Sequence, residues 1–156
     1  MADKINRRKL IKVGVSAFAL FNIVPRHVLG GNGYTAPSDI PTRGIIGCGA
    51  MGRGHMGYKG PIIAVCDADR NRVESAVELC KKNGHGKITG YDDYREMIKR
   101  PDIDIVSVVT PPHWHGLMAI DAANAGKDIW CEKPFTRTIG EGKELVKAVE
   151  RNGRIL

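Results

Sequence analysis

In the stretch Gly44-Ile45-Ile46-Gly47-Cys48-Gly49-Ala50-Met51-Gly52, two branched apolar residues run directly into a G-x-G-x-x-G turn. Each glycine meets a separate steric demand. Gly47 allows the tight turn, Gly49 lets backbone approach a pyrophosphate, and Gly52 permits close helix–strand packing. The helix that follows would direct its unsatisfied N–H groups at phosphate. With 19 glycines in the chain, the hexapeptide alone is weak, so its surroundings matter. An apolar run, Pro61-Ile62-Ile63-Ala64-Val65-Cys66, comes next and ends at Asp67, 20 residues after Gly47. That is the position from which a carboxylate accepts the hydroxyls of an adenosine ribose. The pair therefore points to a dinucleotide.

Outward from this core the chain alternates short apolar runs with helical stretches, as βαβ units do. Residues 70–83 carry Val73, Ala76, Val77 and Cys80 at helical spacing and end at Gly84, a helix stop. Ile88-Thr89 reads as a third strand, 94–100 as a short helix closed by Pro101, and 103–109 as a central strand. Residues 116–125 form the next helix, Ile129-Trp130-Cys131 a fifth strand and 139–152 a last amphipathic helix, with a sixth strand beginning at Arg154-Ile155-Leu156. The expected fold is α/β, a doubly wound parallel sheet with ligands at the carboxyl ends of its strands.

Composition is ordinary for a globular protein, with 42% hydrophobic and 26% charged residues among 156. The net charge of +7 does not argue for a nucleic-acid partner, because residues 1–12 hold five cations against Asp3, or +4 of it. Those cations include the paired Arg7-Arg8, and the apolar residues 13–24 follow. Twelve residues are too few to span a bilayer, which takes about 20 in a helix; they suit a signal segment. The expectation is a leader over 1–33, a linker over 34–41 and a nucleotide-binding domain over 42–156, the stretch 30–41 being rich in glycine, proline, serine and asparagine. The leader resembles a twin-arginine export signal, which implies the export machinery as a partner and a periplasmic or membrane-tethered protein. Cys48, Cys66, Cys80 and Cys131 lack C-x-x-C spacing and read as small buried hydrophobes.

Asp67 favours NAD, since its charge repels a 2′-phosphate; Arg70 and Arg72, just downstream, keep NADP open. Thr110-Pro111-Pro112-His113-Trp114-His115 reads as a stiff loop after the central strand. Its two histidines have no third ligand at plausible spacing, so no metal site is expected; His115 is left between capping the next helix and touching cofactor. In Glu132-Lys133-Pro134, Lys133 stands at a strand's carboxyl end, where it could hold or share the proton of a substrate hydroxyl. A surface Glu–Lys pair is the plainer reading.

Taken in order, the glycine turn, Asp67, Tyr91-Asp92-Asp93-Tyr94 to Asp102-Ile103-Asp104, Thr110 to His115, and Glu132-Lys133-Pro134 closely resemble the N-terminal half of the Gfo/Idh/MocA (glucose–fructose oxidoreductase/inositol dehydrogenase) family. The resemblance covers about residues 42–156. It implies hydride transfer between a nicotinamide and a sugar, sugar derivative or polyol, with Lys133 assisting. It implies Gly47, Gly49, Met51, Gly52, Asp67, Thr110, His115 and Glu132 as cofactor contacts. It also implies a C-terminal α/β substrate domain, absent from this chain, through which homo-oligomers could form. The 156 residues would then be a half-enzyme that binds cofactor without turnover. Two other readings stand beside it: an NAD-using glycosidase of the same fold, less associated with Glu-Lys-Pro, and a non-catalytic dinucleotide-binding module.

Overall fold

The computed structural model describes residues 31, 33 and 35–156. The leader, including Arg7 and Arg8, and part of the linker lie outside them. The chain divides into two compact units, residues 1–39 and 40–156. In the first, Pro37–Asp39 forms one 3₁₀ turn closed by the Asp39 N–H on the Ala36 carbonyl at 2.9 Å.

The second unit alternates strand and helix throughout. Its elements are β1 (Arg43–Ile46), α1 (Ala50–His55), β2 (Ile62–Cys66), α2 (Arg70–Lys82), β3 (Thr89–Tyr91), α3 (Tyr94–Ile98), β4 (Ile105–Val108), α4 (Pro112–Asn124), β5 (Asp128–Cys131) and α5 (Ile139–Asn152). The five strands are all parallel, in the order β3-β2-β1-β4-β5. The chain order reverses about β1, between β2 and β4, so a crevice opens there at the carboxyl edge.

Burial on both faces explains the continuous apolar strands. One face buries Ile46, Cys66, Val106, Val108 and Cys131 against Met118, Ala119 and Ala122 of α4 and Leu145 and Ala148 of α5. The other buries Ile45, Val65 and Val109 with Met56, Val73, Ala76 and Cys80. All four cysteines are free and buried, as their apolar settings suggested. Among the described residues no helix is long and apolar enough to cross a membrane.

Local chemistry sets the helix ends. Asp69, Asp93 and Thr138 cap α2, α3 and α5 through their side chains, and Thr138 with Glu141 completes a capping box. Two sequence expectations need correction. Helix α4 begins at Pro112 rather than 116, so His113, Trp114 and His115 are helical. A proline at the first helical position loses nothing, because its missing N–H would have had no partner there. The third strand is Thr89–Tyr91, one residue later than Ile88-Thr89. Beyond α5, residues 154–156 are not a strand, although the Ile129 N–H already donates to the Ile155 carbonyl at 2.8 Å.

Candidate functional site

Because the strands are parallel, the residues after β2, β1, β4 and β5 line one edge in that spatial order: Asp67, Gly47, Thr110 and Glu132-Lys133. The sequence-predicted residues are thus brought together by topology.

The glycine turn is built so tightly that side chains cannot enter it. Gly47 has φ 97°, and a Cβ there would stand 2.5 Å from the Val109 carbonyl oxygen and 3.0 Å from the Thr110 nitrogen. At Gly52 a Cβ would come within 1.8 Å of the Gly47 carbonyl oxygen. Gly49 differs: a Cβ there would meet only an Arg72 guanidinium nitrogen, at 3.6 Å. Gly47 and Gly52 therefore close the turn against β4 and α1, while Gly49 leaves its outer side open. This is the cradle that a pyrophosphate requires. Met51 is exposed on the first turn of α1.

Asp67 is fixed beside this turn. One carboxylate oxygen accepts from the Cys48 N–H at 2.8 Å and the other from the Asp69 N–H at 3.0 Å. Each oxygen keeps a second lone-pair site for a ribose hydroxyl. Burial, followed by the charge of Asp67, pushes the Cys48 thiol up to about 12, so it stays neutral and sets no thiolate against a phosphate. Arg70 is turned away, paired with Asp92 at 2.7 Å and Glu74 at 3.6 Å. Arg72, 3.4 Å from Asp69 and beside Gly49, faces the turn.

At the β5 end, Lys133 is exposed and makes no hydrogen bond or ion pair among the described residues. The plainer surface Glu–Lys pair is not formed. Glu132 instead meets His55 of α1, Oε1 to Nε2 at 2.8 Å, with the ring 2% and the carboxylate side chain 21% exposed. His55 was not singled out in the sequence; the available signal was a polar residue three positions after Gly52, on the buried face of a short helix. Its ring packs against Tyr58 and Trp130, at 4.9 and 5.8 Å between centroids.

His115 is buried, and both ring nitrogens are engaged by backbone: Nδ1 with the Pro134 carbonyl at 2.8 Å and Nε2 with the Thr110 carbonyl at 2.6 Å. In this arrangement no ring nitrogen is left for a cofactor, and the capping role falls to no side chain. Trp114 is 42% exposed.

These residues fit a dinucleotide. The Gly47–Gly52 turn would hold its pyrophosphate and Asp67 the adenosine ribose, with Thr110 and Glu132 toward the other half. The comparisons agree. Residues 42–156 match the model of the GFO_IDH_MocA family, described as an oxidoreductase family with an NAD-binding Rossmann fold. Curated relatives in Shewanella are named as glycosyl hydrolase family 109 proteins. Among them the α-N-acetylgalactosaminidase of Shewanella oneidensis is 36% identical, over 76% of this chain and 28% of its own length. The structure of myo-inositol dehydrogenase from Lactobacillus casei, in complex with NAD(H) and myo-inositol, is 30% identical with a TM-score of 0.65, covering 72% of this chain and 34% of that one. WlbA dehydrogenase from Chromobacterium violaceum, in complex with NADH and UDP-GlcNAcA, is 28% identical with a TM-score of 0.66, covering 74% and 33%. The chain spans between a quarter and two fifths of the length of the curated relatives.

Proposed function

The chain belongs to the Gfo/Idh/MocA oxidoreductase family, and from that premise we propose that its 42–156 domain is the nucleotide-binding part of an NAD-dependent oxidoreductase acting on a sugar, sugar derivative or polyol. One observation carries this reading: a dinucleotide cradle closed by Gly47 and Gly52 and an exposed lysine, unpaired among the described residues, lie on the same carboxyl edge of one sheet. Bound NAD would supply the hydride acceptor. The chain's own residues would do the rest: Asp67 and the turn orient the dinucleotide, and Lys133 holds the proton of the substrate hydroxyl. Arg72 beside Gly49 keeps NADP available as a weaker alternative. The paired Arg7-Arg8 ahead of a 12-residue apolar run supports export by the twin-arginine route to a periplasmic or membrane-tethered site.

The names of the curated relatives favour a second reading, an NAD-using glycosidase, in which oxidation is transient and reversed within each turnover. The two differ in net redox change. With the full-length gene product and a panel of sugars, polyols and N-acetylhexosaminides, stoichiometric NADH supports the oxidoreductase. Sugar release without net NADH supports the glycosidase. In either case Lys133→Ala is expected to lower kcat by about 10²–10⁴, the range for a positioned acid–base group. Near-wild-type turnover would remove Lys133 from the chemistry.

A further inference from the structure

We propose that His55 and His115 form a two-point clamp that positions Lys133; the inference rests on the reading above, in which Lys133 acts at the reacting oxygen. The three residues 132–134 leave β5 as a connection, the kind of segment that is ordinarily mobile. Here it is held on both sides of the lysine. His55, from α1, takes the Glu132 carboxylate at 2.8 Å. His115, from the first turn of α4, takes the Pro134 carbonyl at 2.8 Å and the Thr110 carbonyl at 2.6 Å. The two helices pack on opposite faces of the sheet, Met56 beside His55 in one core and Met118 and Ala119 of α4 in the other.

Both histidines are almost fully buried. Burying an imidazole costs free energy where a nitrogen is left without a partner, as His55 Nδ1 is among the described residues, and an apolar side chain would fill either space without that cost. What the histidines add is direction. The His115 ring is seated between the Pro134 and Thr110 carbonyls, at 2.8 and 2.6 Å, and so fixes the two backbones relative to each other. Through Thr110, whose nitrogen lies 3.0 Å from where a Gly47 Cβ would stand, the clamp is referred to the glycine turn itself. The lysine side chain between the two pins stays unpaired among the described residues. Misplacement by about 1 Å is enough to cost a reacting group 10²-fold.

The test reads Lys133 directly, by peptide-level mass spectrometry of its acylation by an N-hydroxysuccinimide ester. NADH is compared with ADP-ribose, which lacks the nicotinamide. In the wild type, NADH at about ten times its Kd should slow Lys133 acylation about tenfold by mass action, and ADP-ribose should not. If NADH gives no protection in the wild type, Lys133 is not beside the nicotinamide, and the functional reading falls together with the clamp that rests on it. Given that protection, H55L and H115L should retain ADP-ribose affinity yet lose the NADH-specific slowing, and H55Q, whose amide N–H stands near the Nε2 position, should restore it. Should a leucine variant fail to bind ADP-ribose, H55N, too short to reach Glu132, or H115S, too short to reach Pro134 or Thr110, takes its place with the same expectation. Undiminished protection without either histidine would overturn the clamp and leave both residues as packing.

Discussion

Replacing Gly52 by alanine adds one methyl group where the structure leaves no room for it. The new carbon would sit 1.8 Å from the Gly47 carbonyl oxygen, whereas Cβ atoms essentially never approach another heavy atom within 3.0 Å. The turn must open by the difference, at least 1.2 Å. The obstacle is backbone, not the end of a flexible side chain, so the strain cannot be relieved by a rotamer change. Overpacking of this kind costs about 1–3 kcal/mol. In a unit of this size each kcal/mol moves the thermal midpoint by roughly 3–6 °C. The displaced N–H groups are those that would face the pyrophosphate. Losing one hydrogen bond to a charged group costs about 1.5–3 kcal/mol, so NAD affinity should fall by a factor between about 10 and about 150. Gly54, two residues along the same helix, is exposed with nothing within 4 Å of its would-be Cβ. Gly54→Ala should therefore raise stability by about 0.5–1 kcal/mol and leave NAD binding alone. Thermal unfolding followed by circular dichroism, with calorimetric NAD titration, measures both. If Gly52→Ala binds NAD as the wild type does, or if both variants shift the midpoint the same way, the cradle is not built as described.

Asp67→Ala should weaken NAD binding by roughly 1.5–3 kcal/mol and NADP binding by less, because the carboxylate that repels a 2′-phosphate is gone; equal losses in parallel titrations would contradict this. Stability should also fall in alkali. Burial raises Cys48 and Cys66 from 9.0 to about 12 and Cys131 to about 11, so the folded chain keeps protons that the unfolded chain releases. Their contribution is complete below about pH 9 and is lost as pH rises toward 12; a urea midpoint unchanged between pH 8 and 11 would refute it. Arg7→Lys with Arg8→Lys should retain the protein in the cytoplasm, and fractionation showing wild-type export would exclude the twin-arginine route.

The sheet was legible because strands buried on both faces are written as unbroken apolar runs, 62–66 above all, which no solvent-facing strand could carry. The phosphate turn was legible because its glycines answer to a local steric demand. What escaped depends on contacts remote in sequence. His55 lies 77 residues from Glu132, and no local pattern links them. His115 offered a cofactor contact in sequence, yet folding spends both its nitrogens on carbonyls of two separate segments. The start of α4 was misplaced because Pro111-Pro112 suits a loop and a helix entrance equally. Choosing between Arg70 and Arg72 needed Asp92, from the end of another strand, which holds Arg70 away.

The place of β1 at the centre of the sheet also has a consequence for how the protein is made. β1 is the first strand in the chain, but its partner β4 is synthesised some 60 residues later, as the Thr42–Asp104 contact across 62 residues records. A nascent chain ending before Val108 can pair β1 only with β2, which carries β3 on its other side, and its glycine turn lacks the Val109–Thr110 backbone that backs Gly47. Such long-range pairing slows folding, because the loop must be closed before the contact rewards it. A ribosome-stalled series with chain lengths stepped through residue 110 should therefore gain dinucleotide binding abruptly, once β4 has emerged, and not in proportion to length.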